Sequence, residues 1–229
     1  MRSIDELAVR KYGILLEQKM ELAGFNLMSL ARQVLGGSLQ NKRVVVLTGK
    51  GNNGGGGLVA ARHMSDWGAK VVILVSQRTG LNDTVNAKLR TLQALSMKIL
   101  FFDPKLNIHS VLETSDLVID ALIGYNLKGN PRYPISEIIM RANVSQIPIL
   151  ALDLPSGLDA TTGNVYDPCI KAENTLTLAL PKIGLQFEKA RKYVGTLYLA
   201  DIGIPPALYR EMGLNVGNIF KDESMVKIC

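Results

Sequence analysis

The alternation of β-branched runs with helical segments constrains the fold of this chain more than any other feature. Residues 43–48 form a Val-rich run, residues 57–67 have a helical pattern, and residues 70–76 are again rich in Val and Ile. This βαβ unit predicts parallel strands joined by a right-handed crossover. The alternation continues with helices at residues 82–96, 104–113 and 134–142 and strands at residues 98–102, 117–122 and 148–152.

Segments at both ends complete the predicted fold. Apolar residues recur at helical spacing between residues 4 and 35, with interruptions near Gly13 and Gly24, which predicts two N-terminal helices. Beyond residue 159 the pattern changes to strands at 175–180 and 196–200, with turns at 181–184 and 194–195. We therefore predict a three-layer α/β/α, Rossmann-like fold with a mostly parallel, doubly wound sheet and a strand-rich C-terminal edge.

The chain is long enough for one large α/β domain, and a hydrophobic content of 47% is ample for one core. We expect a single domain over residues 1–229, with N-terminal helices in residues 1–35 and an α/β core in residues 43–215. With 26 basic and 20 acidic residues, the net charge is +6. This modest excess suits an anionic ligand but is too diffuse to indicate nucleic acid.

The cysteines and the apolar runs bear on the compartment. Cys169 and Cys229 are far apart and lack a partnering His cluster, so neither a disulfide framework nor a zinc site is indicated. No run of about 18 apolar residues is present, and the N-terminal segment does not resemble a signal peptide. We expect a soluble, cytoplasmic protein that does not enter a membrane.

A glycine-rich segment, residues 49–57, joins the first predicted strand to the next helix. Glycines let a pyrophosphate approach the backbone, and the unpaired N–H groups and dipole of a helix start favour an anion. Gly49, Gly51 and Gly54 also satisfy the G-x-G-x-x-G dinucleotide pattern. The alternative is a turn that requires positive φ. Neither a Walker lysine nor a G-x-S-x-G elbow is present, which disfavours phosphoryl transfer at a P-loop and acyl transfer by a serine triad.

The end of the second predicted strand departs from a standard dinucleotide fold. An acidic residue is expected there to hold a ribose, but the sequence has Ser76, Gln77 and Arg78. Either the ligand carries a ribose phosphate near Arg78, or it does not lie across the sheet as in a dehydrogenase. A solvated Arg78 without a ligand is a third interpretation.

Polar residues at the ends of two later strands suggest a shared crevice. Asp120 and Asp153 each lie at the carboxyl end of an apolar strand, and parallel strands bring such ends to one edge of the sheet. Each Asp alone is equally explained as a helix cap or turn former. The side-chain carbonyls of Asn52 and Asn53 suit a hard cation or a ribose hydroxyl.

Two segments after these strands add further candidates. Residues 124–132 form a flexible segment with two cations and a ring, which is suited to cover a phosphate or a base. Ser156 lies in a tight turn that presents its hydroxyl or carbonyl to a cation. His63 and His109 fall within predicted helices without an obvious partner, and we interpret both as structural or surface residues.

Four motifs together resemble one family. The segments YGILLEQKMELAG, GNNGGGGLVAARHM, VIDALIGYNLKGNPR and LALDLPSGLDATTG are similar, in order and spacing, to the YjeF N-terminal domain of NAD(P)H-hydrate epimerases, including the apolipoprotein A-I-binding protein branch. The resemblance covers nearly the whole chain. It implies a three-layer α/β/α fold, usually dimeric, that interconverts the R and S epimers of hydrated NADH or NADPH (NADHX or NADPHX).

The resemblance also implies a cofactor, a partner enzyme and a set of binding residues. A potassium ion would be held by Asn53, Asp120 and Ser156. The chain lacks the kinase-like dehydratase domain fused to many relatives, so the dehydratase that completes repair would be a separate protein. The implied substrate-binding residues are Asn52, Asn53, Gly54, Gly55, Gly56, Gly124, Tyr125, Asn126, Leu127, Lys128, Gly129, Asn130 and Asp153.

One departure from the family concerns the glycine segment. The family's loop usually reads GNNGGDG, whereas this chain has Gly56 at the acidic position. A carboxylate that binds the ligand or positions the loop is therefore missing.

Epimerisation requires either that the hydroxyl leaves and returns or that the ring opens and closes, and an acid/base group beside the ring is sufficient for both. We assign this role to Asp153, since Asp120 is expected to hold the cation, with Lys128 as an electrostatic helper. The alternative is a non-catalytic nucleotide-sensing or scaffold module, which the loss of the acid at Gly56 favours. A third interpretation, an NAD-dependent oxidoreductase, depends on the G-x-G-x-x-G pattern alone.

Overall fold

An eight-stranded sheet forms the centre of the molecule. The computed structural model describes residues 2–228 and the side chains of residues 3–228. The strands are β1 (Arg43–Thr48), β2 (Lys70–Val75), β3 (Lys98–Phe101), β4 (Leu117–Ala121), β5 (Ile149–Leu152), β6 (Asn174–Leu178), β7 (Thr196–Ala200) and β8 (Met225–Lys227). The helices are α1 (Arg2–Arg10), α2 (Leu16–Val34), α3 (Asn52–Asp66), α4 (Asp83–Ala94), α5 (Ile108–Leu112), α6 (Ile135–Val144), α7 (Glu188–Val194) and α8 (Pro206–Glu211).

The strand order is β3-β2-β1-β4-β5-β6-β7-β8. The first seven strands pair in parallel, and β8 pairs antiparallel with β7. The chain builds the sheet outward from β1 in one direction and then from β4 in the other. Open α/β sheets bind ligands at such a switch point, outside the carboxyl ends of the strands. The predicted doubly wound, mostly parallel sheet is confirmed.

Helices cover both faces of the sheet. Val44 and Val46 of β1 belong to a core cluster with residues of α2, α3 and α4, whereas Val45 and Leu47 belong to a second cluster with residues of α5 and α6. Successive strand residues point to opposite faces, so both faces are buried and the predicted three-layer arrangement is confirmed. Within residues 2–228, no helix has the length and apolar character needed to cross a membrane.

The two predicted N-terminal helices are present, but only one of the two predicted interruptions is. Gly13, with φ +66, lies between α1 and α2 as expected. The predicted break at Gly24 is wrong, because Gly24 lies inside α2. A Cβ at this position would come within 2.6 Å of Val59 Cβ and 2.9 Å of Ala60 N on α3. Gly24 is therefore required for close helix packing and not for a turn.

The C-terminal third contains short elements that the apolar pattern did not predict. The strands at β6 and β7 agree with the prediction, whereas α7, α8 and β8 have only seven, six and three residues. Helices this short are held by tertiary packing and not by their own periodicity. Strand β8 extends the sheet past residue 215, the expected end of the α/β core.

Candidate active site

Helix α3 begins at Asn52, five residues earlier than predicted, so most of the glycine segment is helical. Glycine disfavours a helix by about 1 kcal/mol per residue, which explains the late predicted start. Packing overrides this preference. A Cβ at Gly54 would overlap the carbonyl oxygen of Gly49 and lie 2.7 Å from Thr48 Oγ1. Gly51, the N-cap residue of α3, has open space at its Cβ position and adjoins the cavity described next.

A cavity of about 600 Å³ opens at the carboxyl ends of β1, β4, β5 and β6. Helices α1 and α2 close one side, and the N-terminus of α3 points its unpaired N–H groups towards it. The predicted substrate residues on its wall are Asn52, Asn53, Gly56, residues 124–128 and Asp153. The predicted residues outside its wall are Gly54, Gly55, Gly129 and Asn130. A contact between these last four and a substrate stays a prediction.

Two of the predicted cation ligands are hydrogen-bonded to each other. Asp120 is fully buried; its Oδ1 accepts from Ser156 Oγ at 2.6 Å, and its Oδ2 accepts from Ser156 N at 2.7 Å. Leu122 N donates to Asp120 Oδ1 at 3.1 Å. Burial raises the pKa of Asp120 to about 6, against the opposing effect of these hydrogen bonds. Among the described residues, Asp120 forms no ion pair with a basic side chain.

Asn53, the third predicted ligand, has an unsatisfied amide. Its Nδ2 is buried and has no hydrogen-bond partner in the part of the chain that the structure describes. Gly124 adjoins this side chain, since a Cβ there would lie 3.4 Å from Asn53 Cγ, at ordinary van der Waals distance. A half-turn of the amide places Oδ1 at the unsatisfied position, where a cation is a suitable partner. A buried carboxylate without an ion-pair partner, a hydroxyl and an amide oxygen are the types of ligand that a hard cation prefers.

Asp153 forms a buried ion pair with Lys182, which the sequence analysis did not single out. Lys182 Nζ donates to Asp153 Oδ1, and the two side chains are 5% and 6% exposed. Asp153 has φ +69, a left-handed conformation that is uncommon outside glycine. Both residues line the cavity. The signal available in the sequence was a lysine in the turn after β6, the next strand end along the same edge of the sheet.

A second ion pair, again unpredicted, lies on the part of the cavity wall that α1 and α2 form. Lys19 Nζ of α2 is 2.6 Å from Asp5 Oδ1 of α1, and the Lys19 side chain is 4% exposed. Tyr125 OH lies 3.4 Å from Asp5 Oδ2. Burial raises the pKa of Tyr125, and the charges of Asp5 and Asp153 raise it further. The phenol is therefore protonated at neutral pH, and its O–H donates to Asp5 Oδ2.

The remaining candidates lie at the rim or away from the cavity. Lys128 is exposed and lines the cavity. His63 does have a partner, contrary to expectation: its Nε2 is 2.8 Å from Glu21 Oε1. His109 is 3.3 Å from Glu113 on the exposed surface. Neither histidine lines the cavity, in agreement with a structural or surface role.

Arg78 and the cysteines complete the predicted set. Arg78 packs 4.7 Å from the centre of the Phe101 ring, beside a separate, smaller pocket. It is therefore in contact with the protein rather than only with solvent. Cys169 is buried, which raises its pKa to about 12, so its thiol is unreactive near neutrality. Cys229 lies outside the described residues.

The fold and the site define a doubly wound α/β protein with a cavity at the switch point of its sheet. Residues 16–184 match the family described as YjeF-related protein N-terminus. The chain belongs to this family.

Three relatives extend the match beyond the family model. The NAD(P)H-hydrate epimerase of Dehalogenimonas lykanthroporepellens is 41% identical, over 93% of this chain and 84% of that protein. The NAD(P)H-hydrate epimerase of Pirellula staleyi is 35% identical, over 92% and 93% of the two chains. The bifunctional NAD(P)H-hydrate repair enzyme Nnr of Moorella thermoacetica is 36% identical over 94% of this chain, which corresponds to 41% of that enzyme.

A solved structure shares the fold over almost its full length. The crystal structure of yeast ynu0, YNL200c, superposes with a TM-score of 0.84 and 26% identity, covering 99% of this chain and 96% of that one. This agreement supports the eight-stranded, mostly parallel architecture.

Proposed function

We propose that this chain is an NAD(P)H-hydrate epimerase, which interconverts the R and S epimers of hydrated NADH and NADPH. The observation that carries the proposal is the Asp153 carboxylate on the wall of a cavity of about 600 Å³, next to the N-terminus of α3. That volume falls within the range of small-molecule sites. The N–H groups of α3 suit a pyrophosphate, and relatives covering most of this chain are named for this activity.

Asp153 has one oxygen available for proton transfer. Lys182 Nζ and, at 3.4 Å, Leu178 N donate to Oδ1, whereas no group among residues 2–228 donates to Oδ2. An oxygen without a protein donor can accept a proton from the substrate and return it.

Two routes are chemically balanced. In the first, Asp153 protonates the hydroxyl, the C–O bond breaks with its electron pair on oxygen, and water adds to the opposite face and returns a proton. In the second, Asp153 takes the hydroxyl proton, the ring C–N bond breaks, and the nitrogen receives the proton. Reversal of these steps, after rotation about the adjacent C–C bond, closes the ring on the other face.

The ion pair with Lys182 favours the second route, because a carboxylate stabilised as an anion accepts a proton before it donates one. Epimerisation in H₂¹⁸O distinguishes the two. We expect the epimerised product to retain its unlabelled hydroxyl, as mass spectrometry would show. Incorporation of one ¹⁸O per epimerisation would contradict this expectation.

We also propose that potassium is the cofactor, held by Asn53, Asp120 and Ser156. The buried carboxylate of Asp120 and the unsatisfied amide of Asn53 support this. When bound, the ion supplies a positive charge beside the segment that follows β4. Asp120 itself orders that segment through Leu122 N, and Ser156 Oγ accepts from Ile123 N at 2.9 Å.

Several further properties belong to the same proposal. Lys128 stabilises negative charge on the ligand from the rim of the cavity. A homodimer and a cytoplasmic location are expected. The functional partner is an NAD(P)H-hydrate dehydratase, since this chain matches about two fifths of the bifunctional repair enzyme of Moorella thermoacetica.

The test is a coupled assay. The protein is incubated with the purified R epimer and an S-specific dehydratase in potassium buffer, and the formation of NADH is followed by absorbance. We expect R to be consumed faster than in a blank without the protein. Consumption at the spontaneous rate would reject the epimerase.

A non-catalytic nucleotide-binding or scaffold module is the second candidate. The observation that favours it is Gly56, which lies on the cavity wall without the carboxylate common in the family. This candidate predicts dinucleotide binding by calorimetry together with a blank-level rate in the coupled assay.

A further inference from the structure

Lys182 satisfies all of its hydrogen-bonding capacity within the protein. An ammonium group has three N–H donors. Lys182 Nζ donates to Asp153 Oδ1, to Thr177 Oγ1 at 3.2 Å and to Leu178 O at 2.9 Å. Although Lys182 lines the cavity, it has no donor left over for a ligand. Its charge and its hydrogen bonds are directed at Asp153 and at β6.

The backbone conformation after β5 and β6 brings Asp153 and Lys182 together. Asp153 follows β5 and Lys182 follows β6, and Asp153 N donates to Leu176 O of β6 at 2.8 Å. Two non-glycine residues adopt left-handed conformations here, Asp153 with φ +69 and Ala179 with φ +63. Such conformations are strained for non-glycine residues and concentrate at functional sites. The turn at Ala179 returns Lys182 over the end of its own strand.

The two oxygens of the Asp153 carboxylate differ in their hydrogen bonding. Oδ1 accepts hydrogen bonds from Lys182 Nζ and from Leu178 N, while Oδ2 accepts none from the described residues. Both side chains are about 5% exposed, and burial makes an unpaired charge costly, so each partner compensates the buried charge of the other.

We propose that Lys182 is a positioning residue for the reaction: it holds Asp153 as a carboxylate and orients its free Oδ2 towards the substrate, without touching the substrate itself. This inference rests on the proposed epimerase function. It predicts that Lys182 contributes to the rate only when Asp153 is present.

A double-mutant cycle tests this dependence. Lys182→Met is expected to lower kcat by roughly 10²-fold, the cost of a misplaced reacting group, with less than about a threefold change in KM. Asp153→Asn lowers kcat at least as much. In the Asp153→Asn background, adding Lys182→Met should change kcat by less than about twofold, because the group that Lys182 positions is already lost.

Controls separate positioning from folding. Lys189→Met, the same substitution at an exposed lysine of α7, should leave kcat and KM unchanged. Thr177→Val removes one acceptor but keeps the charge of Lys182, so its effect should be smaller than that of Lys182→Met. If Lys182→Met does not fold, Lys182→Gln replaces it, since an amide still donates to Oδ1. The double variant lacks both buried charges and carries no unpaired ion.

The outcomes separate this proposal from the proposed function. A wild type no faster than the blank overturns both. An active wild type, with unchanged kcat in Lys182→Met or with effects that multiply in the double variant, overturns the positioning role alone. Non-additive effects in folded variants support it.

Discussion

Gly56 is the position at which the proposed contribution of an acidic residue to activity can be tested. Gly56 lines the cavity, and a Cβ there would meet only Leu152 Cδ2, at 2.9 Å, the far end of a flexible side chain. A Cβ at position 56 is therefore accommodated if the end of the Leu152 side chain shifts. Loss of one charged hydrogen-bonding group from a preorganised site commonly costs about 10²- to 10³-fold in rate.

Gly56→Asp should therefore raise kcat of the wild-type protein in the coupled assay. Gly56→Asn, which has the same shape without the charge, is the matched control and should give a smaller increase or none. Equal rates in the wild type and Gly56→Asp, both above the blank, would show that the missing carboxylate has no catalytic role here.

The sequence located some site residues and not others for a physical reason. Asp120 and Asp153 were predicted because each ends an apolar strand, and parallel strand ends converge. The sequence did not predict Lys182, Lys19 and Asp5, because each depends on pairing with a residue 14 or 29 positions away in the chain. Local periodicity carries no information about such pairs.

At the scale of the elements, the glycines of α3 serve close packing. Gly54→Val is not a usable test of ligand approach, because any Cβ at Gly54 overlaps the Gly49 carbonyl. Strands were predicted closely because β-branched runs coincide with buried positions. The start of α3 was not, because helix packing outweighed glycine's weak propensity.

Gly54→Ala and Gly51→Ala form a matched pair. Overpacking costs about 1–3 kcal/mol, which exceeds the gain of about 1 kcal/mol from placing Ala in a helix, so Gly54→Ala should lower the free energy of unfolding. Gly51→Ala, with open space, should leave it within about 0.5 kcal/mol. Urea denaturation measures both.

The same pair tests the ligand site. Gly51 lines the cavity at the start of α3, so Gly51→Ala should weaken the binding of a hydrated dinucleotide in calorimetry while the protein stays folded. Unchanged affinity in this variant would place the pyrophosphate elsewhere.

For the whole molecule, the charge of Asp120 links stability to pH. Burial raises the pKa of Asp120 from 3.8 to about 6. Between these two pKa values, the folded protein holds a proton on Asp120 that the unfolded chain has released. The stabilisation from this proton is complete below pH 4 and is lost as pH rises through 6. In the absence of a bound cation, the free energy of unfolding falls by about 3 kcal/mol over this range.

Thermal unfolding should show this dependence and its relief by potassium. In tetraethylammonium chloride, the melting temperature should fall between pH 5 and pH 7.5, and Asp120→Asn should reduce that fall. At pH 7.5, replacing tetraethylammonium chloride by an equal concentration of potassium chloride should raise the melting temperature by binding linkage, with or without ligand. Identical melting temperatures in both salts across this range would reject the ion site.

The most direct test of the account is the interconversion of the epimers itself, with no coupling enzyme. Purified R epimer is incubated in potassium buffer with the wild type, with Asp153→Asn or with no protein, and both epimers are separated by chromatography over time. We predict that the wild type accelerates the approach to the R/S equilibrium and that Asp153→Asn reduces this acceleration by at least about 10²-fold. Equal rates in the wild type and in Asp153→Asn, or a wild type equal to the blank, would contradict the assignment of this cavity and its carboxylate to the reaction.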